Sequence, residues 1–237
     1  MKNYLKLLID AILPARCLLC GKIVHDDNTL CSECFENINF ITSPYCKHCG
    51  IPLFENIPDN LYCVSCLNKK HTFRFVRSAI VYDEYSKKLV LDFKFYDHIE
   101  NKKLLVKWLM FAGRDIFKEG VDLIIPVPLH FTRMLRRKYN QSAILARELS
   151  RQTGIKAEYK ALVKNKKTIP QVLCDSKQRT KNVKNAFTVK YPEAIKGKRI
   201  VLIDDVFTTG ATLRECAKIL KKHGAKSVDA LTVARVC

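Results

Sequence analysis

Nowhere does the chain carry an uninterrupted apolar run near the roughly 20 residues that a membrane-crossing helix needs, so no membrane span is expected. Acidic residues are also scarce: 23 Asp+Glu stand against 42 Lys+Arg, a formal net charge of +19. Residues 71–237 hold no internal repeat or low-complexity tract. With 48% hydrophobic residues, the 237-residue chain has ample material for a core, which excludes a wholly disordered protein.

What is present is unevenly placed. Residues 1–70 hold 7 Lys+Arg and 7 Asp+Glu, so the whole excess of +19 lies in residues 71–237, with 35 and 16. Cysteine is skewed the other way, with 8 of 11 between Cys17 and Cys66. A neutral, cysteine-rich head (1–70) and a basic body (71–237) are therefore expected as two domains. Within residues 1–14, Leu5, Leu8, Ile9, Ile12 and Leu13 share one helical face. Asp10 and the missing small-residue cleavage site argue against a signal peptide. A short amphipathic helix packed on its own protein is preferred to a membrane-surface helix. The expected compartment is the reducing cytoplasm, where clustered cysteines bind metal rather than form disulfides.

Those cysteines form four Cys-x-x-Cys pairs: Cys17/Cys20, Cys31/Cys34, Cys46/Cys49 and Cys63/Cys66. At that spacing a tight turn presents two thiolates to one tetrahedral ion. Ten residues separate the first two pairs and thirteen the last two, so sequential pairing closes short loops. That predicts one Zn2+ on Cys17, Cys20, Cys31 and Cys34 and a second on Cys46, Cys49, Cys63 and Cys66; a cross-braced arrangement is the alternative. Four thiolates leave no open coordination position, so both sites are read as structural. A head with few large aliphatics would draw much of its folding free energy from the metal. Cys174, Cys216 and Cys237 lack partner spacing and are read as ordinary thiols.

Beyond residue 73, strand and helix patterns alternate. Strands are expected at 75–82, 122–127, 199–204 and 227–234, and helices at 89–95, 104–117, 140–152 and 212–222. Residues 164–182, with six basic residues and one acid, read as a loop. Strands separated by helices argue for a mostly parallel sheet covered on both faces, an α/β fold.

The most informative stretch is Val201 to Thr212, VLIDDVFTTGAT. A hydrophobic strand delivers Asp204 and Asp205, a hydroxyl-rich turn follows, and a helix begins. Ligands of open α/β sheets bind at such carboxyl ends, and a helix start there offers N–H groups and partial positive charge to an anion. Gly210 and Ala211 admit a phosphate close to the backbone, while Thr208, Thr209 and Thr212 add hydroxyl donors. The two acids suit sugar hydroxyls, or a Mg2+ ion beside a phosphate. No Lys follows Gly210, so a Walker A loop is excluded.

This stretch resembles the phosphoribosyl diphosphate (PRPP) motif of type I phosphoribosyltransferases. Pro126 to His130, Arg133, Arg136, Arg137 and Tyr139 to Ser142 resemble the ComF competence-protein family in particular. So do Pro14 to Gly21, Gln171, Arg179, Asn182 and Ala186–Phe187. The resemblance implies a type I phosphoribosyltransferase-like sheet behind a zinc-binding head. It implies that Asp204 and Asp205 hold the ribose hydroxyls and Mg2+, and that Thr208, Thr209, Gly210, Ala211 and Thr212 cradle the 5′-phosphate. The turn at Leu129 and His130, with Arg133 nearby, would receive pyrophosphate, and residues 164–182 would close over substrate or serve as a solvated surface loop. It further implies a role in DNA uptake during natural transformation, with protein partners of the uptake machinery docking on the zinc head. Independently, residues 121–200 hold 19 Lys+Arg against 5 Asp+Glu, a density that favours a polyanion. Single-stranded DNA is the expected one, with Arg136, Arg137 and Lys138 as candidate contacts. An active transferase acting on a nucleobase-like acceptor is the alternative.

Overall fold

The computed structural model describes residues 14–54, 58, 61–67, 72–95, 101–132, 134, 139–166 and 176–237. Its centre is a four-stranded parallel sheet of β1 (Val76–Val81), β2 (Leu123–Pro126), β5 (Arg199–Phe207) and β6 (Ser227–Arg235), in the order β1-β6-β5-β2. The register is continuous, from Arg199 opposite Ser227 to Phe207 opposite Arg235, and from Leu123 opposite Ile200 to Pro126 opposite Ile203. Ile200, Val201, Leu202 and Ile203 are all inaccessible to solvent, as expected of a strand buried on both faces.

Alternate side chains build two cores. Ile200, Leu202, Val228 and Ala230 point to one face, covered by α8 (Ala211–Lys222) and by the antiparallel pair β3 (Leu162–Lys164) and β4 (Phe187–Val189). Val201, Ile203, Leu231 and Val233 point to the other, covered by α3 (Glu84–Phe95), α4 (Lys102–Ala112) and α6 (Gln141–Thr153). The expected α/β sheet with helices on both faces is thus what the chain forms. Among the described residues no helix is long and apolar enough to cross a membrane.

Three expectations need correcting. The helix expected over 104–117 ends at Ala112, and a separate α5 (Arg114–Lys118) follows Gly113. A Cβ on Gly113 would lie 2.7 Å from Leu231 Cδ2, so the chain turns where it touches the sheet. The strand at 199 runs three residues beyond Asp204, because β6 continues beside it. Residues 164–182 are not one loop: Lys164 ends β3, and α7 (Ser176–Val183) buries Val183 in the first core. The head adds apolar contacts with the body to whatever the metal supplies. Leu18, Leu19, Leu30 and Phe40 pack against the second core, and Ile38 is buried within it.

The head carries two short helices, α1 (Ser32–Glu36) and α2 (Val64–Leu67), and it also extends the sheet. Phe40 pairs antiparallel with Ile80, Ile41 N–H donates to Ala79 O at 3.0 Å, and Val81 N–H donates to Asn39 O at 2.8 Å. Phe40 meets Trp108 edge to face, with ring centroids 5.0 Å apart. At the opposite edge, Ile124 exchanges backbone hydrogen bonds with residues 156 and 158, both at 2.9 Å. Both outer strands therefore spend hydrogen-bonding groups on neighbours instead of presenting them bare. The N-terminal amphipathic helix expected over residues 1–14 lies almost wholly outside the described residues.

Candidate phosphate site and zinc centres

The acid doublet sits inside β5. The Asp204 carboxylate accepts from the Ser142 hydroxyl (3.1 Å) and from the Asp205 backbone N–H (3.0 Å), while Asp205 accepts from the Val206 N–H (2.7 Å). Ser142 is buried in the first turn of α6. That helix begins there because Asn140 caps it, accepting from the Ser142 N–H at 3.1 Å. The Asn140 amide also donates to Val127 O at 3.0 Å. One asparagine thus ties the end of β2, where Pro128, Leu129 and His130 follow, to the helix whose serine steadies Asp204. His130 Nδ1 lies 3.0 Å from Thr132 Oγ1.

Beyond Phe207 the chain bends through Thr208 and Thr209 into Gly210, whose φ of +69° is left-handed. Glycine is required here twice over: by that conformation, and because a Cβ would stand 2.6 Å from Phe207 Cζ. Helix α8 starts at the next residue. Asp204, Thr208, Gly210, Ala211 and Thr212 contribute to a shallow cleft at this point. The arrangement can receive an anion at a helix start, with the Asp204 carboxylate lining the cleft, and Asp205 next to it in the strand, for hydroxyls or a divalent cation.

From behind, the Arg214 guanidinium donates to Thr209 O. Burial pulls Arg214 below its ordinary pKa, and the nearby Cys66 sulfur offsets part of that pull. Arg235, buried at the end of β6, lies over the Phe207 ring at 4.9 Å and donates through Nη1 to Cys49 O. Sequence reasoning missed both arginines. A charged residue closing an otherwise apolar strand was the available signal for Arg235.

The eight head cysteines gather as two groups, Cys17/Cys20/Cys31/Cys34 and Cys46/Cys49/Cys63/Cys66, with the sulfurs of each within 4.8 Å of one another. The grouping is sequential, not cross-braced. A tetrahedron with Zn–S bonds of about 2.3 Å has edges of about 3.8 Å. Cys20 and Cys31 sulfurs lie 3.7 Å apart, and those of Cys49 and Cys63 3.8 Å, so the donors fit that ion. Backbone N–H groups of Cys31 and Cys63 point at the Cys17 and Cys46 sulfurs, each at 3.3 Å. Burial opposes the charge on Cys17, but these and neighbouring backbone donors lower its pKa overall. The Cys46 thiol is lowered by the Cys49 thiol first and by backbone N–H groups next, against burial. Gly21 and Gly50, each following a cysteine, have φ of +77° and +68°.

Of the remaining expected site residues, Arg133, Arg136, Arg137 and Lys138 lie outside the described residues, as do Gln171 and Cys174. Cys216 is fully buried in α8, and burial pushes its thiol pKa up.

A family model for the double zinc ribbon domain matches residues 8–67, and one for the phosphoribosyl transferase domain matches residues 140–236. Competence protein F of Haemophilus influenzae is 33% identical over 226 residues, covering 93% of this chain and 96% of that protein. DNA utilization protein YhgH of Escherichia coli K12 is 29% identical, with 92% and 89% covered. Competence protein ComFC of Bacillus subtilis is 27% identical, with 92% and 94% covered.

Proposed function

The chain belongs to the ComF family of competence proteins, and from that premise we propose that it handles single-stranded DNA taken up in the cytoplasm and binds PRPP with Mg2+ at its phosphate loop. The observation that carries the proposal is the junction of β5 and α8, where two carboxylates meet a glycine-bent helix start. Thr208 to Thr212 would hold the 5′-phosphate, and Asp204 and Asp205 the ribose hydroxyls. Mg2+, held beside the acids, would neutralise charge on the diphosphate. Ser142 fixes one acid by hydrogen bonding, which spares the site that reorganisation when ligand arrives.

The DNA part of the reading is supported by the net charge of +14 over residues 121–200, from 19 Lys+Arg and 5 Asp+Glu, and by relatives named for competence and DNA utilization. Counterion release would supply the affinity, with Arg136, Arg137 and Lys138 as contacts. The double zinc ribbon is read as a scaffold on which protein partners of the uptake machinery dock.

Asp204→Asn combined with Asp205→Asn should abolish calorimetric binding of PRPP with Mg2+ while circular dichroism stays unchanged. Undiminished binding removes the assignment. Under the alternative of an active transferase, the wild type releases pyrophosphate from PRPP when a nucleobase is supplied. That reading is favoured by one observation, the Asn140 bridge between the turn after β2 and the helix that steadies Asp204.

A further inference from the structure

We infer that the second cysteine group, and not the first, sets the geometry of the phosphate loop, acting through Arg235 and Phe207 with Arg214 as a second support. The inference rests on reading Thr208–Thr212 as the phosphate site and adds what controls it.

The contacts run without a gap. Gly50, next to the ligand Cys49, packs so tightly on β1 that a Cβ there would stand 2.6 Å from Val76 O. Val76 N–H donates to His48 O at 2.8 Å, and the His48 ring stacks on Phe73 with centroids 5.0 Å apart. The turn that carries Cys46 and Cys49 is therefore locked to the sheet edge. From that turn, Cys49 O receives the Arg235 guanidinium. Arg235 lies over the Phe207 ring, and the far edge of that ring is what Gly210 must clear. A second path runs alongside: Thr72 Oγ1 donates to Arg214 O at 3.3 Å, and Arg214 donates to Thr209 O. Nothing comparable joins the first cysteine group to the loop among the described residues. Its contacts are with the opposite core, through Leu18 and Leu19, and with Lys88, which donates to Leu19 O at 2.6 Å.

Such a linkage has a direction and a reciprocal. An ordered second centre holds Cys49 O in place, Arg235 holds the Phe207 ring, and the ring limits where Gly210 can move. Ligand at the loop must then restrain the second centre by the same factor that the centre favours ligand. Arg235 and Arg214 are accordingly positioning residues, since neither is argued to touch the ligand. Arg235 Nε is buried without a hydrogen-bond partner, so the side chain is held by its Cys49 contact and its ring contact, which a shorter cation can partly reproduce.

The test uses the full zinc-loaded chain. Amide exchange of residues 208–213, measured without ligand, should be about tenfold faster in Arg235→Met than in the wild type, within the usual range of coupling between sites. Arg235→Lys should restore most of the protection, and Cys31→Ser, in the first group, should leave it unchanged. With Mg2+ and PRPP as the probe, wild-type zinc release to a chromogenic chelator should slow about tenfold in one of two phases. The slowed phase should be the one missing from Cys63→Ser. Unchanged loop exchange in Arg235→Met, or equal slowing of both zinc phases, overturns the inference. If loop exchange responds as expected but the wild type binds no PRPP, the linkage stands and the phosphate reading fails instead.

Discussion

The first cysteine group leaves Cys20 exposed and leans on the body through aliphatic side chains and one hydrogen bond from the exposed Lys88, whereas the second has Cys46 wholly inaccessible and shares hydrogen bonds with two strands of the sheet. Both use the same four-thiolate chemistry and similar turns. The difference lies in what the turn touches: aliphatic contacts tolerate small rotations, while backbone hydrogen bonds and a buried guanidinium fix orientation. Two copies of one motif can therefore carry unequal shares of a protein's architecture, and ligand identity alone would not reveal it.

The sharpest way to break this comparison is to remove one ligand from each group. Cys46→Ser is expected to lose one zinc per chain and lower the thermal midpoint of the entire protein. Cys20→Ser should lose the other ion with a smaller drop, because structural zinc binding of roughly 10 kcal/mol or more is then withdrawn from a group with fewer sheet contacts. Metal analysis with calorimetric unfolding checks both, and equal drops would erase the distinction. A smaller effect is expected at the contact between head and body. We propose that the boundary between residues 1–70 and 71–237 divides the sequence but not the unfolding transition, because Ile38 is only 5% exposed within the second core. Ile38→Ala should cost about 2–4 kcal/mol in urea unfolding and keep a single transition; two separated transitions would show independent units.

The smallest expected effect isolates the body from both metal centres. In α6, Arg151 and, behind it, Gln152 hydrogen-bond Glu148 and lower its pKa to about 2, against burial. A depressed carboxylate contributes stability above its unfolded value, near 4.5, and loses it as pH falls toward about 2. The stability difference between wild type and Glu148→Gln should be full above pH 5 and shrink steadily below 4.5. A difference independent of pH would mean that the carboxylate charge contributes nothing.

Much of this was legible from local pattern. Four Cys-x-x-Cys pairs defined two metal centres because ligand spacing is a short-range property, and the loop spacing favoured the sequential grouping the structure adopts. The apolar strand, paired acids and glycine bend of residues 201–212 likewise specify their own geometry. What escaped was long-range. Residues 38–41 join the sheet because a partner strand begins some 35 positions later, and the alternation of Ile38, Asn39 and Phe40 was too short to announce it. Arg235 acquires its role only when β6 lies beside β5 and the head folds back over both. The break at Gly113 needs Leu231 opposite it, and α7 shows little apolar periodicity of its own.

One consequence of the strand order concerns synthesis. β1 lies between residues 38–41 and β6, yet β6 is the last strand in chain order. A nascent chain can therefore dock its head on β1 early, but within the sheet β1 has no strand linking it to β5 and β2 until residues 227–235 are made. β6 then inserts between β1 and β5, and the same step brings Arg235 beneath the anion loop.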